Sequence, residues 1–136
     1  MKKLDNFINC LTILANADFK MAETNDIYRT GVIGQFNLTF ELAWKALQEI
    51  MRKHGVEDSS TGSPREILQL GYKFGFIDDS ETWLLMLKKY NTSVYSYNED
   101  EVDETIVLIH DSFIPAFTDL KDILLKKLEE VESDWM

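Results

Sequence analysis

From Asp26 to Lys53 the chain contains no proline, and apolar side chains return every three or four positions. Val32, Phe36, Phe40, Ala43, Trp44, Leu47, Ile50 and Met51 therefore share one face of a helix. At 1.5 Å per residue this helix is about 40 Å long. An apolar stripe of that length must be covered by other elements, which makes this segment the strongest constraint on the fold.

The same spacing appears elsewhere. Leu4, Phe7, Ile8, Leu11, Leu14 and Ala15 mark a first helix. "HGVEDSSTGSP" ends the long helix, with Gly55 as its C-terminal cap and the polar stretch as a surface loop. Ser63, Pro64 and Glu66 form a capping-box signature that opens a short helix over 64–73. Ser80 opens the next, which carries Trp83, Leu84, Leu87 and Val94. Asn98 and Glu101 open the last, with Val102, Ile106, Ile109, Phe113, Phe117, Leu120, Leu124 and Val131 on its stripe. Pro115 lies inside that stripe and predicts a kink rather than two helices. No strand pattern competes. The expectation is an all-α, antiparallel up-down bundle in one domain over 1–136, with four main helices and a short extra one.

Six glycines and two prolines leave few tight turns, in keeping with long helices. No apolar run reaches the ~20 residues of a membrane span, and Asp5, Asn6 and Asn9 break any signal-peptide core, so a cytoplasmic location is expected. The net charge of −10 argues against non-specific nucleic-acid binding. Cys10, the single cysteine, excludes an internal disulfide and reads as a small core residue.

Little recognisable chemistry is present. Neither His54 nor His110 follows a glutamate by three residues, so the diiron ligand pattern of helical bundles is missing and no metal site is expected. His54 reads as a helix C-terminal residue, and His110 as a partly buried packing residue. Asp78 and Asp79 precede a helix and read as caps. The anomalous passage is "KKYNTSVYSYNEDE", residues 88–101, where Tyr90, Tyr95 and Tyr97 are strung through poor helix formers. It is either a frayed helix end or a site. Lys88 and Lys89 before it read as a solvated face, and the tyrosines also suit a half-buried dimer seam.

Three stretches, "GVIGQFNLTFELAWKALQEIM", "SPREILQLGYKFGFIDDSETWLLML" and "YNTSVYSYNED", resemble the nucleotidyltransferase substrate-binding proteins of the HEPN superfamily. The resemblance implies a dimeric, HEPN-like helical bundle that associates with a minimal nucleotidyltransferase; several such pairs are toxin–antitoxin systems whose HEPN member is an RNase. The family pattern is Arg-Asn-x-x-x-His-x-Tyr followed by Asn-Glu. Asn91 and Tyr97 match it, whereas Tyr90 stands at the Arg position and Tyr95 at the His position. A phenol lacks the permanent charge and donor fork of Arg, and it titrates near ~10 rather than near the ~6.5 of His. The reading is an accessory, non-catalytic subunit with a degenerate motif. The alternatives are a divergent RNase toxin using Tyr90, Asn91, Tyr95 and Tyr97, and a stand-alone dimeric bundle that binds a nucleotide. Arg65, Lys88, Lys89 and Tyr97 are the candidate substrate or partner contacts. By the same resemblance Tyr97 is a candidate acceptor of AMP from the partner, which would bind the Mg²⁺ and ATP; this chain itself calls for no cofactor. Tyr28, Gly31 and Gly34, flanking the long helix, are the expected dimer contacts.

Overall fold

The aromatic residues of the predicted stripes meet at one place. In the computed structural model, which describes residues 1–95 and 98–134 and leaves aside the side chains of residues 94, 95, 133 and 134, Phe36 stacks on Phe113 at 5.2 Å. Phe117 lies 6.1 Å from both Phe36 and Phe7, and Trp83 meets Phe117 edge-on at 5.5 Å. Phe40 joins Phe36 to Trp83 and Tyr90. Offset and edge-to-face pairs of this kind add to the area buried by the rings.

The helices that supply these rings are α1 (Lys2–Ala15), α3 (Asp26–Lys53), α5 (Ser80–Tyr95) and the last helical path. That path comprises α6 (Glu99–Leu108), a π-helical turn (Ile109–Phe113) and α7 (Ile114–Asp134). Two short helices, α2 (Phe19–Thr24) and α4 (Pro64–Lys73), lie in the connections. α3 touches each of the other α-helices and is the axis of the molecule. Cross-contacts give the directions. Lys3 pairs with Glu49 while Gln35 reaches the Cys10 carbonyl, so α1 and α3 run antiparallel. Ser93 meets Asn37 and Tyr90 meets Phe40, which sets α5 antiparallel to α3. α7 runs parallel to α3, since Phe36 faces Phe117 and His54 bonds to the Lys127 carbonyl. This is the expected up-down bundle.

Local chemistry explains the boundaries. Asn25 caps α3 by accepting from the Tyr28 N–H at 2.9 Å. Ser63 and Glu66 form the full capping box of α4. Asp79 caps α5, accepting from the Thr82 N–H at 3.0 Å and its hydroxyl at 2.6 Å. Asn98 caps α6 through the Glu101 N–H. Gly55 and Gly75 take left-handed backbone at φ 75° and 81°, as the chain leaves α3 and α4.

Pro115 lies within one continuous helical path, and the turn before it widens to π geometry, because proline brings no N–H and its ring crowds the carbonyl four residues back. Four expectations need correction. His110 is exposed rather than partly buried: its side chain is 61% accessible, it pairs with Asp111 at 2.7 Å and meets Phe19 edge-on. Trp44 and Cys10 are half-buried rather than core, and burial raises the Cys10 thiol pKa, against a smaller opposing effect of Gln35. Tyr28 faces its own chain, its hydroxyl accepting from the Asp18 N–H at 2.6 Å.

Phe36→Ala should cost about 3–5 kcal/mol in urea denaturation, since it empties the centre of the aromatic cluster. The carboxyl of Asp79 titrates below its ordinary 3.8, chiefly through the Thr82 hydroxyl and then the Thr82 N–H. Its contribution to stability is therefore present above that value and lost as pH falls through the lower folded one. Asp79→Asn, which still caps but does not titrate, should flatten the stability loss below about pH 4; acid titration followed by circular dichroism measures it.

Candidate functional site

The last two turns of α5 carry most of the singled-out residues. Lys88, Lys89, Tyr90 and Asn91 are consecutive, so the helix sends them to different sides. Lys88 and Asn91 are exposed. Tyr90 turns inward and packs on Phe40 at 5.2 Å between ring centres. Ser93 donates to the Asn37 side chain at 3.1 Å and to the Tyr90 carbonyl at 3.0 Å, tying the end of α5 to α3.

Lys89 departs from the sequence reading of a solvated face. Its side chain is 7% exposed, with the ammonium 3.3 Å from Glu104 and 3.6 Å from Glu101. A buried ammonium is tolerable only beside counter-charges, and α6 supplies two. Lys89 sits in a cleft of about 20 Å³ formed with Ile33, Ser93, Asn98, Val102 and Thr105. Its signal in the sequence was the acidic run that follows, although which carboxylates would meet which lysine depends on how α5 and α6 pack.

Arg65 stands exposed on the first turn of α4, apart from the α5 group. Tyr95 ends α5, and its side chain is among those left aside; Tyr97, the candidate AMP acceptor, lies outside the described residues. The structure thus brings Lys88, Lys89, Tyr90 and Asn91 together on one helix end and leaves Arg65 on another element.

Sequence reasoning missed a larger groove of about 570 Å³ between α2, α3, α6 and the π turn. Phe19, Ile106 and Val107 give it an apolar side, and Arg29, Asp103 and His110 a polar one. Arg29 is held by Asp103 at 2.7 Å and Asp26 at 2.8 Å, so its charge is matched locally. Among the described residues, none of the sequence-predicted site residues lines this groove. α2 contains no full apolar repeat, which is why the groove's outer wall escaped notice.

Comparison with known proteins follows the same lines. A family model described as "Nucleotidyltransferase substrate binding protein like" matches residues 2–126. A Haemophilus influenzae structure, described as revealing the fold of a substrate-binding domain of a nucleotidyltransferase, superposes with a TM-score of 0.75 at 19% identity. The match covers 89% of this chain and 98% of that one. A Thermus thermophilus protein superposes with a TM-score of 0.64 at 24% identity, over 90% and 98% of the two chains. At these identities the superpositions speak to the fold. No curated protein sequence matches the chain.

Tyr90→Phe should leave stability within about 1 kcal/mol, because the ring contact with Phe40 survives, whereas Tyr90→Ala should cost about 2–4 kcal/mol. Chemical denaturation of both variants checks this, and equal losses would show that the hydroxyl, not the ring, anchors the helix end.

Proposed function

Because the chain belongs to the nucleotidyltransferase substrate-binding protein family, we propose that it is a non-catalytic accessory subunit, a homodimer that binds a separate minimal nucleotidyltransferase and presents its substrate. The observation that carries this reading is the placement of Tyr90. At the position where the resemblance expects a phosphate-holding Arg, the chain has a ring packed on Phe40. The neighbouring Lys89 is matched by Glu101 and Glu104. A phenol titrating near ~10 is also a poor proton shuttle at neutral pH where His is expected, at Tyr95. This end of α5 is suited to packing and recognition, and nucleotidyl transfer is assigned to the partner, which binds Mg²⁺ and ATP.

The outer edge of α3 supports the dimer. Ile27 is 87% exposed and Leu38 46%. Gly31 and Gly34 lie between them at helical spacing, with open space where a Cβ would stand. Two glycines on an exposed apolar edge let a second helix approach closely, as small residues do where helices pack tightly. The seam proposed is Ile27, Gly31, Gly34 and Leu38, without Tyr28, whose hydroxyl is engaged within its own chain.

Co-expression with a minimal nucleotidyltransferase should give a stable complex on size-exclusion chromatography. The chain alone should scatter light as a dimer at about 10 µM, a concentration well above the Kd of a stable dimer, and Gly34→Glu should make it a monomer without lowering its thermal midpoint. RNA should remain uncut by the purified protein. Cleavage that disappears in Tyr95→Phe would favour the toxin reading, and failure to bind any nucleotidyltransferase would favour the stand-alone bundle.

A further inference from the structure

α6 is attached to the bundle in a different way from its neighbours. Of its ten residues only Thr105 and Ile106 are buried, and Val107 is 58% exposed. α3, by contrast, buries an apolar stripe from Val32 to Met51. Val102 and Leu108 pack on the core only partly buried, and charge adds to this apolar anchorage. Lys89 of α5 faces Glu101 and Glu104, and Arg29 of α3 bonds Asp103 at 2.7 Å. The two cations are 7% and 13% exposed, and each comes from a different helix, so α6 is gripped on two sides. Its C-terminal end runs straight into the π turn at Ile109–Phe113, followed by Pro115. A π turn and a proline are the usual places where a helix yields, since the regular ladder of hydrogen bonds is interrupted there.

We propose that α6 is a latched segment, held closed by the Lys89 and Arg29 ion pairs and able to open locally, as far as the π turn, when they part. α6 carries walls of both clefts: Glu101 and Val102 for the Lys89 cleft, Asp103, Ile106 and Val107 for the larger groove. Opening therefore reshapes both at once. It also moves Asn98, the cap of α6, relative to Tyr90 and Asn91 on α5. The device belongs to this chain and stands apart from the identity of its partner.

Hydrogen–deuterium exchange on the full chain, alone and at neutral pH, tests it. Amides of 102–108 should exchange through a local opening, faster than those at the centre of α3. Glu101→Gln combined with Glu104→Gln should speed them at least tenfold, with α3 and α7 changed less than twofold. The double variant leaves the buried Lys89 without these two counter-charges, so Lys89→Met, which removes the buried charge itself, is the companion variant and should act the same way. Protection should persist in α7 from residue 116, which locates the end of the opening. Acceleration in all helices together would show that the pairs stabilise the bundle as a whole and overturn the latch. An unchanged α6, or loss of protection that runs on through α7, would overturn it equally.

Discussion

The fold depends on the ring cluster around Phe36 and Phe117. α1, α3, α5 and the last helical path each place at least one ring in it, and the rings meet at 5.2 to 6.3 Å. Flat side chains of this size pack only in a few relative orientations, so the cluster fixes how far each helix is rotated about its own axis. The rotation of α5 then decides which way Lys89, Tyr90 and Asn91 point. The directions of these three side chains follow from the core.

Tyr90 shows how an aromatic side chain near the end of α5 ties that helix to α3. A guanidinium there would need solvent or a carboxylate, while a phenol ring can turn toward Phe40 and extend the core. The cost of a buried cation is met one residue earlier instead, where Lys89 finds Glu101 and Glu104. Charge near the end of α5 is thus used for joining helices, and the apolar face of the tyrosine for anchoring one of them.

The long elements were legible because periodicity and caps agreed. α3 begins and ends where its stripe, Asn25 and Gly55 place it, and α4 starts at its capping box. α2 was not legible: Phe19–Thr24 is too short to repeat. The burial of Lys89 and the exposure of His110 depend on how helices pair, which a linear pattern does not carry. Trp44 follows the α3 stripe in sequence but sits at its margin in space, where only part of the indole is covered. At the candidate site, the cluster at the end of α5 was visible as an oddity of composition, whereas the inward turn of Tyr90 required the partner ring on α3.

The π turn also keeps count. Along the last stripe the steps run four, three, four, four, three, four, from Val102 to Leu124. The π turn places one more residue in a turn than an α-helix does, and Ile109, Phe113 and Phe117 are all buried across it. The turn is in effect a spare tooth in a gear. A π turn differs from an α turn by one residue, so it marks a place in the last helical path where length itself is negotiable.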